Sequence, residues 1–586
     1  MGETKKSTGS SEKVIMADEK NHTDSLKAIL AVDDLVDEDA IFDYLLREVG
    51  MKGRFQTIFN LSFNLVFSVL IAMPYLNIVL ALSVPDHWCY VPGREETNFT
   101  IAEWKELTIP RDPESRDGFC KCKMYNISGP VDPAFLNNHS ERTQQEVGCQ
   151  YGWEYDRTWY TLTAPSQEDW VCDKSIYVSN TFALNRAGDV VGSFIFGQLG
   201  DVIGRRPVFF ITLTILVLGR SLSALTAHIY WVFLIVSFLG SASTSASFQS
   251  PLAIGIEVSA HDKQAYLAML QCLGWTLGIC IMPLTAWASG NWVIFMLVTT
   301  LPAGLFLFVR KHFPESPRWL ASCGKIEQCQ KVLSYIAEIN GTSLPPDTKD
   351  ILKKIAGRKE KFYGIASLFT SWRLGKNVVL ICGSWVISSL SYYTLMLNIS
   401  YLSGNPFLNF FYQSLVELPA YLVGKALSDR YGRRWTQVGI FLTLTVGYIV
   451  LISIIKDPNM SWLATLLVVF AKFCITATFY IIYLQSMEIY PTCVRQTGTS
   501  LASVVGSGAG IIGPYIIYLG VSKNVLYPSI ILASLALIGA VCCAFLPETL
   551  NQQLPETLAD AQKFGYDQKF WEINYNKKKN VANVIL

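Results

Sequence analysis

Twelve long apolar stretches recur along this chain, near residues 55–82, 177–199, 208–227, 231–254, 264–287, 291–309, 377–398, 407–427, 436–456, 462–485, 498–520 and 526–546. Each is close to the roughly 20 residues that a helix needs to cross a bilayer core. The pattern predicts an all-α membrane protein of twelve transmembrane helices, with the lipid bilayer as its first partner. Only 16% of the residues are charged, against about 25% in soluble chains. Net charge is +1. With no zinc-finger spacing and no basic-aromatic strip, nucleic acid is excluded as a partner.

The stretches divide the chain into segments. Residues 1–54 are polar and lack the apolar core and cleavage site of a signal peptide, so they are expected to form a cytosolic tail. The first span, 55–82, then acts as the insertion signal. Residues 83–176 form a long polar loop, 177–309 the rest of an N-terminal helical half, and 310–376 a polar linker with short helices. Residues 377–546 form a C-terminal half and 547–586 a second tail. Arg205, Arg206, Lys263, Arg430, Arg433, Arg434 and Arg495 fall on one side if the helices alternate. That side is expected to be cytoplasmic, with both termini on it. Segment 83–176 falls on the other side. It holds Cys89, Cys120, Cys122, Cys149 and Cys172 and the sequons at Asn98, Asn126 and Asn138. Disulfides persist in oxidising compartments, which suits an extracellular loop and a plasma-membrane location. Five cysteines cannot all pair with one another, and spacing leaves the pairing open. The sequon at Asn340 lies in the linker, on the cytosolic side, and reads as chance.

The two halves repeat. Asp201-Val-Ile-Gly-Arg-Arg returns as Asp429-Arg-Tyr-Gly-Arg-Arg, 228 residues later (429 − 201). Glu257 returns as Glu488, 231 later (488 − 257), and Pro314-Glu-Ser as Pro547-Glu-Thr, 233 later (547 − 314). A repeat of this kind is the trace of alternating-access transporters, whose site lies between the halves near the midplane. The chain resembles the major facilitator superfamily on the two Gly-Arg-Arg loops. Within it, the chain resembles the organic cation, anion and zwitterion transporters. That likeness rests on Gly53-Arg-Phe-Gln, the large first outer loop, Pro314-Glu-Ser-Pro-Arg-Trp-Leu, Val416-Glu-Leu-Pro and Glu488-Ile-Tyr-Pro-Thr-Cys-Val-Arg-Gln-Thr-Gly. The likeness covers about residues 40–550 and implies two pseudo-symmetric six-helix halves. The first loop departs from the family in reading Asp-Val where Asp-Arg is usual.

Charges inside the spans are the strongest site signal. Arg186 and Asp189 sit within the second span, three residues apart and so on one helix face. Mid-bilayer charges cost about 2.5–3.5 kcal/mol each on insertion scales and normally face a cavity or each other. The pair is either a self-neutralising structural element or a zwitterion site, with Arg186 on a carboxylate and Asp189 on an ammonium. Glu417 in the eighth span and Lys472 in the tenth are candidates for substrate contact or for a mutual pair. The resemblance implies cavity-facing positions for Phe248, Trp385, Tyr392, Tyr480 and Tyr483, and aromatic faces attract ammonium groups. It also places Ser507 where cation-transporting relatives tend to carry an aspartate and anion-transporting ones an arginine. A neutral residue there, beside opposite charges on the second span, suits a zwitterion, and the insect β-alanine and carcinine transporter branch is the most similar in pattern. For the loops, the resemblance implies an inner gate of ion pairs among Asp201, Arg205, Arg206, Glu257, Asp429, Arg430, Arg433, Arg434, Glu488 and Arg495; simple topology anchors are the other reading.

No phosphate-cradling Gly-x-x-x-x-Gly-Lys-Ser/Thr motif is present, so an ATP-driven pump by that route is excluded. No catalytic grouping or paired zinc spacing is seen, and neither cofactor nor metal is expected. Transport of a small organic solute then draws on solute, Na⁺ or H⁺ gradients. Sugar porter, broad organic cation transporter, and transporter-shaped receptor or vesicle protein are the competing readings. Self-association through the outer loop stays open.

Overall fold

The computed structural model describes residues 38–568 apart from 97, 113–117, 127–145, 261–262, 357–364, 403, 492–493, 551, 553–554, 556–557 and 567. The chain forms two compact units. One comprises Met1–Leu61, Ala253–Leu267 and Phe313–Glu360; the other comprises Ser62–Leu252, Ala268–His312 and Lys361–Leu586.

In the first unit, helix Glu38–Val49 buries Phe42, Leu45, Leu46 and Val49, a stripe at helical spacing. It packs on helices Ile326–Asn340 and Thr348–Ala356. Asn340 ties the segments together. Its amide nitrogen donates to the carbonyls of Val49 and Gly50, both at 3.0 Å, and to Gln56 Oε1 at 3.2 Å. Its oxygen accepts the Phe55 N–H at 2.9 Å. A Cβ on Gly53 would collide with the Asn340 side chain, which is a physical reason for glycine in Gly53-Arg-Phe-Gln. The side chain of Asn340 is thus occupied by backbone partners, whatever its sequon suggests.

The second unit holds most of every span. Among the described residues, nine helices are long and apolar enough to cross a membrane: Arg54–Ala81, Arg205–Leu225, Tyr230–Glu257, Tyr266–Ser289, Trp372–Leu397, Arg433–Ile454, Ser461–Ile489, Thr497–Ser522 and Tyr527–Ala544. The remaining three of the twelve expected spans are helical as well. Ile176–Ile203 is long, but carries Arg186, Asp189 and Asp201. Trp292–Leu307 is apolar but shorter. The eighth span is two helices, Pro406–Leu415 and Glu417–Tyr431, which meet at Val416. Apart from the short sixth span, the departures from plain hydropathy therefore mark the charged second and eighth spans.

Small residues let these helices approach closely, as expected where lipid offers no hydrophobic drive to pack. A Cβ on Gly188 would come within 2.7 Å of the Phe238 carbonyl, and one on Gly219 within 2.8 Å of Gly240 Cα. A Cβ on Gly274 would come within 2.6 Å of the Leu65 carbonyl. The second, third and fourth spans are held together in this way, and the first is held to the fifth. Gly204 and Gly432 take φ of 105° and 91°, which only glycine adopts readily, and each turns the chain from one span into the next at the Gly-Arg-Arg loops.

Between the first two spans, two antiparallel pairs form: His87–Cys89 with Trp153–Tyr155, and Lys123–Tyr125 with Glu146–Gly148. Helix Ile101–Thr108 starts with a reciprocal cap between Thr100 and Glu103. Cys89, Val91, Trp104 and Met124 make a small core there.

Candidate functional site

Arg186 and Asp189 do face each other. Arg186 Nη1 lies 2.8 Å from Asp189 Oδ2 and 2.6 Å from the Tyr75 hydroxyl of the first span. Tyr75 in turn donates to Asp189 Oδ2 at 3.1 Å. Arg186 also reaches into the C-terminal half: Nη2 lies 3.4 Å from Ser389 Oγ, and the guanidinium sits 5.2 Å from the Tyr393 ring. Ser507 lies one turn before Gly510, where an added Cβ would come within 3.0 Å of Arg186 Nε. The uncharged eleventh span thus backs onto the arginine. Three further hydrogen bonds between the halves also use the first turns of the second span. Ser179 donates to the Pro514 carbonyl at 3.5 Å, Tyr515 to Asn180 Oδ1 at 3.0 Å and Tyr393 to the Phe182 carbonyl at 3.4 Å. These contacts join the halves at the end of the bundle that bears the disulfide loop.

Glu417 and Lys472 form a second, sealed pair. Both side chains are 0% exposed, with Lys472 Nζ 3.0 Å from Glu417 Oε1. Tyr392 donates to the same oxygen at 2.6 Å, and its ring lies 3.1 Å from Lys472 Nζ. The carboxylate is presented because the eighth span restarts at Glu417, in the first turn of its second helix, where a negative charge is favoured. The geometry realises the mutual pairing that the sequence left as one of two options.

The aromatics fall into two groups. Phe248 contacts Trp275 at 5.1 Å, and Trp275 contacts Tyr75 at 5.2 Å, so this row leads to Arg186. In the other half, Trp385 and Tyr392 both touch Phe479, at 5.2 and 6.2 Å. Trp385 also donates to Ser486 Oγ at 3.0 Å and lies 6.3 Å from Tyr483, which is half exposed. Tyr480 meets Tyr421 at 6.4 Å.

At the Gly-Arg-Arg loops, Arg433 makes a fork onto Glu488 at 3.1 and 3.2 Å and lies 3.2 Å from Asp429. Arg205 pairs with Asp201 at 3.2 Å. Carbonyls accept from Arg206 (Arg310), Arg434 (Ala544) and Arg495 (Tyr490). Arg430 lies over the Tyr431 ring at 5.3 Å. Glu257 closes the fourth span as its last helical residue. Glu548, in the Pro547-Glu-Thr stretch, accepts the backbone N–H groups of Arg433 and Arg434 at 2.8 and 3.1 Å, capping the ninth span.

In the loop, disulfides join Cys89 to Cys149 and Cys122 to Cys172, leaving Cys120 as a thiol. Burial pushes the Cys120 thiol up from its ordinary value, with Asp112 and Glu146 adding to the effect. Asn98 and Asn126 are exposed, as glycan acceptors must be; Asn138 lies outside the described residues.

Sequence reasoning missed Tyr75, Arg220, Ser389, Tyr393, Tyr421 and Phe479. Arg220 alone carried a usable signal, a charge inside the third span; the rest are ordinary residue types whose partners are remote in sequence.

Two repeated six-helix halves that meet around buried opposite charges define a polytopic transporter of the major facilitator fold. The fold is shared with the inward open conformation of the xylose transporter of E. coli, at a TM-score of 0.55 and 15% identity over 86% of this chain and 99% of that one. A profile described as sugar (and other) transporter matches residues 131–560, and the chain belongs to that family. Its relatives include a Drosophila melanogaster β-alanine transporter, 29% identical with 89% of each chain covered. A human organic cation/carnitine transporter 2 is 28% identical over 88% of this chain and 93% of the relative. The protein is a membrane transporter of small organic solutes, and not an enzyme.

Proposed function

We propose that this transporter moves a small zwitterion of the β-alanine type by alternating access. Arg186 takes the carboxylate, Asp189 the ammonium, and the Tyr75, Trp275 and Phe248 row flanks the amine. The observation that carries this reading is the position of Arg186. A single guanidinium touches Tyr75 and Asp189 in one half and Ser389 in the other. A ligand that competes for Arg186 therefore acts on the contact between the halves, which is how binding couples to their rearrangement. The similarity to a β-alanine transporter supports the same solute class. Trp385, Tyr392, Tyr480, Tyr483 and Ser507 line the C-terminal side of the path. Glu417 and Lys472 brace it.

The disulfide loop lies outside the plasma membrane, with glycans on Asn98 and Asn126, and both termini are cytosolic. The fork of Arg433 on Glu488 and the pair of Arg205 with Asp201 belong to the inner gate, which Arg206, Asp429, Arg430, Arg434 and Arg495 complete.

Uptake of radiolabelled β-alanine, beside tetraethylammonium, tests the reading in cells expressing wild type, Arg186→Ala and Asp189→Asn. Loss of β-alanine uptake in both variants at unchanged surface expression is expected. Tetraethylammonium uptake indifferent to Arg186 would favour a broad organic cation transporter using the two aromatic groups, the reading that the cation/carnitine relative suggests. Replacing Na⁺ and collapsing the pH gradient in the same cells identifies a coupling ion. Co-precipitation of two tagged copies tests self-association through the loop.

A further inference from the structure

Among the described residues, Arg220 is a buried cation that no ion pair neutralises. It lies in the third span and is 1% exposed. Its Nη2 donates to Ser241 Oγ at 2.9 Å and its Nη1 to Ser237 Oγ at 3.5 Å. Both serines pass their protons on to Asn185 Oδ1, at 2.7 and 3.1 Å. All of these partners are neutral. Asn185 stands one turn before Asp189, and Arg220 lies within electrostatic reach of that carboxylate. Asp189 is nevertheless in contact with Arg186. Arg186 is thus the guanidinium that Asp189 contacts, and Arg220 is joined to the same stretch of helix only through neutral groups.

Four buried polar atoms here have no hydrogen-bond partner among the described residues: Arg220 Nε, Arg186 Nε, Asn185 Nδ2 and Asp189 Oδ1. Among the described residues, the buried or nearly buried charges in the middle of the spans, away from the ends at the Gly-Arg-Arg loops, are Arg186, Asp189, Arg220, Glu417 and Lys472. The last two cancel. The first three leave an excess of one positive charge in a low-dielectric setting, where an uncompensated ion is costly. Gly219 packs closely on Gly240, and a Cβ on Gly240 would come within 3.5 Å of Arg220 Cγ and Cδ, so the fourth span lies directly against the arginine stem.

We infer that Arg220 is a specificity-determining residue whose surplus charge makes a carboxylate an obligatory feature of the solute. This rests on the zwitterion reading and narrows it: the solute's carboxylate supplies the missing negative charge. When it draws Arg186 away, Asp189 is released to receive the ammonium, while Arg220 stays behind it as a fixed positive charge. A simple amine brings a second positive charge into a site that already has one too many, and is rejected.

The test is competition against radiolabelled β-alanine uptake by propionate, which keeps the carboxylate, and propylamine, which keeps the amine. It is run on wild type, Arg220→Gln and Arg220→Lys, with surface biotinylation. Propionate should inhibit wild type at least about tenfold better than propylamine, on the scale of one charge-assisted hydrogen bond. Arg220→Gln should erase that preference, and Arg220→Lys should retain it. A transporting Arg220→Gln variant with the wild-type preference would overturn the inference. If that variant fails to reach the surface, wild type decides alone, and equal inhibition by the two compounds overturns it. β-Alanine uptake that depends on Arg186 but ignores Arg220 would sink this inference only. Tetraethylammonium uptake without β-alanine uptake would sink the zwitterion reading with it.

Discussion

Replacing Glu417 with Gln strands Lys472 as a fully enclosed cation. At 3.0 Å and an effective dielectric of about 20, the Coulomb attraction lost is about 5.5 kcal/mol. Tyr392 offsets part of this. Its ring stays under the ammonium, at 3.1 Å, and an interaction of that kind contributes about 0.5–2 kcal/mol. Its hydroxyl can still donate to the new amide oxygen. The net cost expected is about 3–5 kcal/mol, the usual result of removing one member of a buried pair. The double variant Glu417→Gln/Lys472→Met carries no charge and should recover to within about 1–2 kcal/mol of wild type, because well-packed neutral replacements of buried pairs are often neutral in effect. Thermal unfolding of the purified protein in detergent, read by the loss of its monodisperse peak, gives the order of the variants. Uptake by the double variant then separates bracing from substrate contact: a brace predicts that β-alanine transport persists. The reasoning fails if the double variant is as unstable as Glu417→Gln. It also fails if the single variant unfolds at the wild-type temperature.

Asn340→Ala should destabilise the first unit by about 1–3 kcal/mol, since it leaves the Phe55 N–H without its acceptor; proteolysis of the N-terminal segment reads this, and wild type should show no glycan on Asn340 by endoglycosidase shift. In intact cells, a membrane-impermeant maleimide should label the loop at Cys120, and Cys120→Ser should abolish that labelling while Cys89–Cys149 and Cys122–Cys172 stay resistant. Burial holds the His87 imidazole below its ordinary value of 6.5. The unfolded loop then binds more protons than the folded one between the two values, so loop stability falls as pH drops below about 6.5. Trypsin nicking of the loop at pH 5.5 and 7.5 measures this, and His87→Gln should flatten the difference.

Hydropathy alone located the helices, because a bilayer imposes its thickness on every span and local composition reports it directly. The repeat landmarks were legible for a similar reason: Gly432 and Glu488 answer to local turn geometry and to a loop charge, both written in short motifs. The second span announced its charges by breaking the apolar run, and the pair at Arg186 and Asp189 followed from helical spacing. Partner choice was not legible. Arg220 settles on serines of the fourth span, Tyr75 closes on Asp189 114 residues away, and Asn340 reaches back to Gly50 across 290. Five loop cysteines allowed several pairings until the folded loop brought Cys89 beside Cys149 and Cys122 beside Cys172. Lys472 was equally open to a substrate or to Glu417 until the tenth span was packed against the eighth. Sequence by itself determined the spans, their repeat and the buried charges at Arg186, Asp189, Glu417 and Lys472, since those depend on local composition. The tertiary structure decided which charges neutralise each other and which one is left over, because that depends on distances between helices that no local pattern encodes.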